Sequence, residues 1–263
     1  MKYILVTGAY GGMGRSTVEK LLAEGYGIFA MDIKTGEAAD GVIPIECDIR
    51  DPDSITAAFD KVKQTTDELY AVIHFAGVYM LDSLCEMSES DFKRIFEINL
   101  FGAFNVNKIF LPLLKKGSRI IMTTSELAPL DPLPFTGIYA VTKGALDKYA
   151  YSLAMELQLL GVKVSVLRAG AVATDMLGVS TTALDRFCNN TKLYTCNAKR
   201  FKTIVDRVEA RNISTYKLAG KVVAILSKRK PRFAYSINRN PLLLLLNCLP
   251  KQLQLWIIKL ILK

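Results

Sequence analysis

Short apolar runs alternate with helix-type patterns through most of the chain. Each run is rich in β-branched or other apolar residues and is bounded by polar or turn-forming residues, which is typical of a buried strand. Such strands are predicted at residues 3–6, 28–31, 41–47, 70–75, 118–124, 162–167 and 232–237. Apolar residues at helical spacing predict helices at residues 15–24, 52–66, 89–115, 138–160 and 219–226.

This alternation predicts an α/β fold, a Rossmann-like doubly wound parallel seven-stranded sheet with helices on both faces. We expect one domain over residues 1–240, in which residues 176–215 cover the substrate, and an apolar amphipathic extension over residues 241–263. Ligands bind such sheets at the carboxyl ends of the strands. Six residues lie just beyond the predicted ends: Gly8, Asp32, Asp48, Gly77, Ser125 and Gly170.

The turn after the first strand reads TGAYGGMG from Thr7 to Gly14. Gly8 allows a tight turn, Gly12 lets the backbone approach a phosphate, and Gly14 lets the helix pack close to the strand. The free N–H groups at the start of the following helix then face an anion. Strand, glycine turn and helix in this order predict a nucleotide-binding site.

Asp32 ends the second predicted strand and bears on which nucleotide binds. A carboxylate at this position accepts hydrogen bonds from both hydroxyls of a ribose and repels a 2′-phosphate. The sequence therefore favours NAD(H) over NADP(H). Lys34, two residues further on, partly offsets that repulsion.

Candidate chemistry lies on the helix at 138–160, where Tyr139 and Lys143 are one turn apart on the same face. A phenol has an ordinary pKa of about 10, and a neighbouring ammonium lowers it toward the range of an acid/base group. Ser125 supplies a hydroxyl from an adjacent strand end, suited to bonding a carbonyl or alkoxide oxygen. A Tyr–Lys pair alone is an ordinary surface feature; the nucleotide loop and Ser125 together favour catalysis.

Taken together, these motifs resemble the short-chain dehydrogenase/reductase family, in its compact single-domain subgroup. The resemblance covers residues 1–175 and rests on Thr7 to Gly14, Asp48, Ala76-Gly77, Asn99, Ser125, the Y-x-x-x-K motif at Tyr139 to Lys143, and Gly170 with Thr174. It implies NAD(P)-dependent hydride transfer between an alcohol and a carbonyl. Metal ions play no part in this expectation.

The resemblance also implies roles for individual residues. Tyr139 is the general acid/base, Lys143 lowers its pKa and bonds the nicotinamide ribose, and Ser125 polarises the substrate oxygen. Asn99 holds a water of the proton relay. The implied cofactor-binding residues are Gly8, Tyr10, Gly12, Met13, Gly14, Asp32, Ile33, Asp48, Ile49, Ala76, Gly77, Tyr139, Lys143, Gly170, Val172 and Thr174.

Three positions depart from the family pattern. His74 and Phe75 replace two asparagines before Ala76-Gly77, and we interpret His74 as a structural residue at a strand end. Ala169 replaces the proline that usually precedes Gly170. The interval from Ser125 to Tyr139 is about one residue longer than usual, so it stays open whether Thr124 shares or takes the role of Ser125.

Composition narrows the setting. The five cysteines are scattered and contain no C-x-x-C pair, which favours a reduced intracellular compartment over a disulfide or metal framework. The first strand begins almost at Met1, so we expect no cleaved presequence and a cytoplasmic protein. The net charge is +9, and residues 192–232 hold twelve Lys or Arg against two acidic residues. No recognition motif for nucleic acid accompanies this basic block, and we interpret it as a solvated surface or as a dock for an acidic partner or an anionic membrane.

The last third of the chain is predicted to shape the substrate site. An apolar segment favours a lid, with ordinary core packing as the alternative. It contains Met176, Leu177, Val179, Leu184, Phe187 and Leu193. The tail at 241–263 lacks the run of about 20 apolar residues that a spanning helix needs. It is compatible with membrane-surface contact, a second subunit or a roof over the pocket, and it resembles the extensions of hydroxysteroid and retinol dehydrogenases.

The first functional hypothesis is therefore an NAD-dependent dehydrogenase of a lipophilic secondary alcohol, similar to a hydroxysteroid. Alternatives are a 3-oxoacyl-thioester reductase, whose acidic carrier protein the basic block attracts, and a nucleotide-sensing family member without catalysis. We expect a homo-oligomer, a dimer or tetramer, acting on a small substrate.

Overall fold

A computed structural model describes residues 1–209 and 211–263 and, within them, all side chains except those of 175–181, 208 and 209. The strands are β1 Tyr3–Thr7, β2 Gly27–Asp32, β3 Val42–Glu46, β4 Leu69–His74, β5 Leu114–Ser125, β6 Lys163–Ala169, β7 Val172–Ala173, β8 Ile213–Ser214 and β9 Ala234–Ile237. The α-helices are α1 Gly12–Ala23, α2 Pro52–Lys63, α3 Glu89–Phe96, α4 Gly102–Phe110, α5 Gly137–Leu157, α6 Asp175–Asn190, α7 Thr195–Glu209, α8 Thr215–Leu226, α9 Pro241–Asn247 and α10 Lys251–Leu262.

Seven strands form one parallel sheet in the order β3-β2-β1-β4-β5-β6-β9, which confirms the predicted fold class. The strand order reverses between β1 and β4, and these two neighbours present their carboxyl ends at the same edge. Ligands of doubly wound sheets bind at this switch point. The short strands β7 and β8 pair in a separate parallel ribbon.

Both faces of the sheet are covered because alternate residues of each strand point to opposite sides. On one face, Leu5 of β1 packs with residues of α2, α4 and α5. On the other, Ile4 and Val6 pack with residues of α1 and α8. All three β1 residues are fully buried. The continuous apolar run of β1 is therefore the sequence signature of a central parallel strand.

The prediction of one continuous helix at 89–115 is wrong. After α3, residues Glu97–Phe101 form one π-helical stretch, α4 follows, and Leu111–Leu113 form a 3-10 turn. The strand β5 then begins at Leu114, four residues before the predicted start. Pro112 lies in the 3-10 turn, where its missing N–H and fixed φ help to end the helix. The π stretch contains Asn99 and is the kind of widened turn found at functional sites.

A third apolar cluster lies where the substrate segment was predicted. Phe135 stacks with Phe187 of α6 and with Phe201 of α7, and Leu262 of α10 joins the same cluster. The predicted lid residues Leu184 and Phe187 are buried here, whereas the side chains of Met176, Leu177 and Val179 lie outside the described ones. Among the residues that the structure describes, no helix is both long and apolar enough to cross a membrane.

His74 is buried at the end of β4. Its Nε2 lies 2.9 Å from Asn107 Oδ1, and Asn107 Nδ2 donates to the Tyr149 hydroxyl at 3.2 Å. Since Asn107 faces the ring with its acceptor oxygen, Nε2 carries the proton. The pKa of His74 is lowered to about 4. Burial is the main cause, the charge of Lys143 adds to it, and the hydrogen bond with Asn107 opposes it. The residue therefore stays neutral and links β4 to α4.

We predict that acidification destabilises the protein through His74. Its folded pKa of about 4 lies below the unfolded value of 6.5, so the unfolded chain binds the extra proton first as the pH falls. The stability that His74 contributes is full above pH 6.5 and falls by about 3 kcal/mol between pH 6.5 and 4. His74→Gln keeps a hydrogen-bonding amide opposite Asn107. In this variant the free energy of unfolding, measured with urea at each pH, should no longer show the loss between pH 6.5 and 4.

The chain has one histidine, so the variant has none. The carboxylates are the same in both proteins, and their contribution cancels when the two free energies of unfolding are subtracted. Identical pH dependence in the parent and the variant would contradict a buried neutral His74.

Candidate active site

The glycine turn is held against the end of β4 by close backbone packing. Gly8 has φ +66°, and a Cβ there would lie 2.5 Å from Ala76 N. A Cβ on Gly14 would lie 2.1 Å from Gly8 O, so α1 can approach the turn only without a side chain. Gly8 is thus required by its positive φ and by the close approach of Ala76, and Gly14 is required by the close approach of Gly8.

The first turn of α1 carries the features of an anion site. The helix starts after Gly11, whose residue type offers no side-chain cap, and its first turn contains no acidic residue. The N–H groups of this turn are therefore available to a ligand, and the helix dipole favours negative charge there. Thr174 packs directly against this turn, since its side chain lies 3.0 Å from where a Cβ of Gly12 would be. These features fit a pyrophosphate at the first turn of α1, with Gly12 required by the close approach of Thr174.

Asp32 fixes the shape of the turn as well as closing β2. Its Oδ2 accepts from Tyr10 N at 3.0 Å, and its Oδ1 accepts from Ile33 N at 2.8 Å. Each carboxylate oxygen has a further lone pair, so both can still accept from ribose hydroxyls. The Tyr10 ring covers Gly36, and its buried hydroxyl has no hydrogen-bond partner among the described residues. The carboxylate thus positions the loop and remains available to a ligand.

Asp48 is paired in a way that the sequence analysis missed. Its carboxylate accepts from Arg50 Nε at 3.0 Å and Nη2 at 2.5 Å and from the Arg50 backbone N–H at 2.9 Å. These bonds hold the pKa of Asp48 below its usual range, with burial opposing the shift. The Asp-x-Arg spacing was visible in the sequence. Arg50 also brings a positive charge to the cleft.

A cleft of about 1020 Å³ runs along this edge of the sheet. Twelve predicted cofactor residues line it: Gly8, Tyr10, Gly12, Met13, Gly14, Asp32, Ile33, Asp48, Ile49, Ala76, Gly77 and Thr174. Lys34, which the sequence analysis named, also lines the cleft, together with four basic residues that it missed, Arg15, Arg50, Arg94 and Arg186. Gly170 and Val172 are outside this lining; a Cβ on Gly170 would lie 1.9 Å from Asn238 O, which makes close backbone packing its evident requirement.

Ser125, Tyr139 and Lys143 come together beside the cleft. Ser125 is the last residue of β5, and α5 presents the other two on one face. The Ser125 hydroxyl lies near the Tyr139 phenol and favours its ionised form. Lys143 Nζ donates to Thr123 O at 3.3 Å and lies 5.9 Å from the centre of the Tyr139 ring. The group adjoins the cleft at Gly77, where a Cβ would be 3.3 Å from Lys143 Nζ.

The pKa values in this group differ from the expectation that Lys143 lowers the pKa of Tyr139. Burial raises the pKa of Tyr139 to about 12, and the hydrogen bond from Ser125 opposes the rise. Burial also lowers the pKa of Lys143 to about 8. Both shifts favour the neutral forms because a low-dielectric site disfavours charge. In the protein alone, Tyr139 therefore retains its proton at neutral pH.

Asn99 is buried, and its side chain is held at both ends. Its Oδ1 accepts from Val78 N at 2.8 Å, and its Nδ2 donates to Val78 O at 3.0 Å and to Thr142 Oγ1 at 3.2 Å. The side chain therefore ties the loop after β4 to α5, next to Lys143. The water-holding role expected of Asn99 stays a prediction.

Thr124 and Ser125 point to different partners. The Thr124 hydroxyl lies 3.2 Å from Asp147 Oδ1, and Arg168 donates to both oxygens of this carboxylate, at 2.9 and 2.7 Å. Asp147 is buried, so Thr124 belongs to a buried ion-pair network between α5 and β6. Of the two hydroxyls, that of Ser125 faces Tyr139. This geometry favours Ser125 for the role that the sequence left open.

An apolar wall borders Tyr139 on the side away from β5. The Tyr79 ring centre is 4.9 Å from that of Tyr139, and Tyr79 also packs against the cluster that contains Phe135 and Phe187. Helix α6 adds Thr182, Ala183 and Arg186 to the cleft wall. The group of Ser125, Tyr139 and Lys143 thus lies between the cleft and an apolar region.

Comparison with known proteins identifies relatives of this chain. The profile of the short chain dehydrogenase family matches residues 2–185. Estradiol 17-beta-dehydrogenase 2 of Mus musculus is 32% identical over 189 residues, which are 67% of this chain and only 50% of that protein. The oxidoreductase YbbO of Escherichia coli (strain K12) is 30% identical over 224 residues, 81% of this chain and 82% of that protein. The 3-ketodihydrosphingosine reductase of Bacteroides thetaiotaomicron is 23% identical over 236 residues, 89% of this chain and 87% of that protein.

Solved structures share the fold. A short chain dehydrogenase family protein from Francisella tularensis superposes with a TM-score of 0.76 at 22% identity, covering 90% of this chain and 97% of its own. A 3-ketoacyl-(acyl-carrier-protein) reductase from Brucella melitensis, complexed with NADH, gives 0.73 at 18% identity, with 90% and 96% covered. Identities this low show the fold alone.

We predict that Ser125→Ala and Thr124→Val separate chemistry from stability. Ser125→Ala removes the hydroxyl that faces Tyr139, so kcat should fall by about 10²–10³ with little change in unfolding. Thr124→Val removes a bond to a buried carboxylate and should cost about 2 kcal/mol of stability while most turnover remains. Steady-state kinetics and urea unfolding measure the two effects. The opposite pattern would assign the role to Thr124.

Proposed function

Because the chain belongs to the short-chain dehydrogenase family, as its motifs implied, we propose that it is an NAD(H)-dependent oxidoreductase interconverting a lipophilic secondary alcohol and its ketone. The observation that carries the proposal is the placement of the Ser125 hydroxyl near the Tyr139 phenol, with Lys143 one turn away, beside a glycine-lined cleft. A hydroxyl pair of this kind binds and protonates a carbonyl oxygen.

In the proposed reduction, the substrate carbonyl oxygen accepts hydrogen bonds from Ser125 and Tyr139. A nicotinamide held in the cleft would supply the hydride to the carbonyl carbon, and the Tyr139 phenol would give its proton to the oxygen. The products are the alcohol, NAD and a phenolate, which regains its proton from solvent. The reverse reaction moves the alcohol proton to Tyr139 and the hydride to NAD. Lys143, as an ammonium, stabilises the phenolate in either direction.

NAD is proposed as the cofactor because Asp32 closes β2 at the cleft with its carboxylate held by two backbone N–H groups. The carboxylate would lie beside a 2′-phosphate, and Coulomb repulsion would weaken NADP binding. Arg15 and Lys34 also line the cleft and act in the opposite direction. We expect the repulsion by Asp32 to outweigh the attraction by Arg15 and Lys34, because the Asp32 carboxylate is held in place by hydrogen bonds.

A lipophilic substrate is proposed because apolar residues surround the free side of Tyr139. A second cavity of about 540 Å³ lies near the start of α5, with Leu84, Leu133, Phe135, Ile258 and Leu262 among its lining residues. Two of the relatives are named for a steroid and for a sphingoid-base substrate, both large and apolar. Apolar pocket walls of this kind favour such molecules.

Two other functions follow from specific features. A 3-oxoacyl-thioester reductase is favoured by the basic block at 192–232, to which an acidic carrier protein would be attracted. A nucleotide sensor without catalysis would need no Ser125–Tyr139 pair, and the presence of that pair argues against it. We rank both below the alcohol dehydrogenase.

We also propose a cytoplasmic homo-oligomer. All five cysteines are free, which suits a reducing compartment. The outer faces of α4 and α5 expose large hydrophobic side chains, including Phe104, Tyr151 and Met155. Such patches are typical of subunit interfaces.

Tyr139→Phe tests the mechanism with the ring packing preserved. We predict that turnover falls by at least about 10²-fold, since the proton donor is lost, while NADH binding is nearly unchanged. NADH formation should be measured with hydroxysteroids, retinol and 3-hydroxyacyl thioesters. Tyr151→Phe, an exposed position on the same helix, is the matched control. Turnover of thioesters alone would support the hypothesis of a 3-oxoacyl-thioester reductase. Retained activity in Tyr139→Phe would refute the mechanism.

Asp32→Asn tests the cofactor assignment. The amide keeps an acceptor for Tyr10 N but loses the charge, so the ratio of kcat/KM with NAD to that with NADP should fall about tenfold or more. Asp60→Asn removes an exposed charge from α2 and should leave the ratio unchanged. An unaltered ratio in Asp32→Asn would overturn the assignment to NAD.

A further inference from the structure

Helix α10 carries two apolar stripes, of which only one packs on the protein. Ile258 and Leu262, four residues apart, pack in the Phe135 cluster, and Gln254, one turn before Ile258, is buried and donates to Asp131 Oδ2 at 3.2 Å. On the other side, Leu253, Trp256 and Leu260 follow one another at spacings of three and four residues, with exposed fractions of 40, 59 and 64%. This second stripe lies on one face of the helix and contacts solvent.

The preceding helix extends the exposed apolar surface. In α9, Leu242 and Leu245 are three residues apart and expose about two thirds of their surface. Single exposed leucines are ordinary, but five large apolar side chains on two consecutive short helices are not. We call these five residues, Leu242, Leu245, Leu253, Trp256 and Leu260, the tail patch.

Polar bonds fasten these helices to the substrate side of the protein. Asn247 Oδ1 accepts from Asp131 N at 2.9 Å, and Lys251 pairs with the Asp131 carboxylate. Near the end of α10, Asn197 Nδ2 donates to Leu262 O at 2.6 Å. Asp131 belongs to the loop that follows Ser125. The tail patch is therefore a fixed surface attached to the wall of the proposed active site.

Charge identifies the partner that this surface fits. The chain from residue 192 to 263 has 16 Lys or Arg and two acidic residues, a net charge of +14, and residues 233–263 contain no acidic residue. Lys259 and Lys263 lie beside the exposed stripe of α10 and are themselves exposed. A second copy docked symmetrically would bring these like charges together. An anionic lipid surface pairs with them and accepts the apolar side chains.

We propose that the tail patch docks the protein on an anionic membrane surface, with Trp256 and its neighbouring leucines at the level of the lipid headgroups. Trp and Leu on one face with Lys beside them match interfacial helices, and Trp favours the headgroup region. The helix lies in the plane of the surface and does not cross it. This inference does not depend on the proposed reaction, although docking beside the Asp131 loop would suit a lipophilic substrate.

The chain provides its own probe, because Trp256 is its only tryptophan. Purified full-length protein is titrated with vesicles of phosphatidylcholine alone and of phosphatidylcholine mixed with phosphatidylglycerol. We expect a blue shift of Trp256 emission and co-sedimentation with the anionic vesicles, with much weaker effects for phosphatidylcholine alone. Added salt should weaken the binding.

Matched variants distinguish the sources of binding. Lys259→Gln with Lys263→Gln should weaken binding to anionic vesicles about thirtyfold, and Leu253→Gln with Leu260→Gln should abolish the blue shift. Leu159→Gln, at an 83% exposed leucine outside the tail patch, should bind as the parent does. Thermal melting identifies any variant that fails to fold.

Two results would overturn the proposal. One is the absence of a vesicle-dependent shift in the folded parent protein. The other is a blue shift that follows protein concentration without vesicles and coincides with dimer formation in sedimentation, which would assign the tail patch to a second copy. Loss of dehydrogenase activity in a variant that still binds vesicles would bear on the proposed reaction alone.

Discussion

The close approach of the glycine turn to the end of β4 is the constraint on which the site depends. Gly8 lies against the Ala76 backbone, and the next residue, Gly77, lies against Asn99 and Lys143. Backbone packed this tightly has no room for side chains, so the anion-binding turn and the catalytic helix share one edge. The cleft and the Ser125–Tyr139 pair are therefore adjacent because of backbone contact and not because of flexible loops.

Burial gives this site a defined resting state. It raises the pKa of Tyr139 to about 12 and lowers that of Lys143 to about 8, so at neutral pH the phenol is neutral and the ammonium still predominates. A phenolate and an ammonium would stabilise each other, which couples their protonation. The protein alone thus holds a proton on Tyr139, which the proposed reduction would transfer to the substrate oxygen. Oxidation of an alcohol instead requires that proton to leave first, which rising pH favours.

Much of the fold was predictable because most strands of the sheet contain a short apolar run, with a Gly, Asp or Ser at or shortly beyond the carboxyl end. Motif residues such as Gly8 and Tyr139 were likewise visible in the sequence. The π-helical stretch at Asn99 was not, because its apolar spacing resembles that of an α-helix. The Asp147–Arg168 ion pair joins residues 21 apart, and spacing alone does not pair them. Burial also reversed the expected pKa shift of Tyr139, since the pair rule considered charge without desolvation.

The packing of residues 241–263 could not be predicted from the sequence either. Its apolar residues occupy most of the helix circumference, so periodicity cannot tell which stripe packs on the protein. The structure decides this through polar bonds: Asp131 and Asn197 each hold one end of the tail, which turns Ile258 inward and leaves Trp256 outside. An apolar stripe needed only for packing would be buried by this arrangement. The stripe that remains exposed has Lys259 and Lys263 near it and no acidic residue in this part of the chain, and it is better explained by a surface of opposite charge.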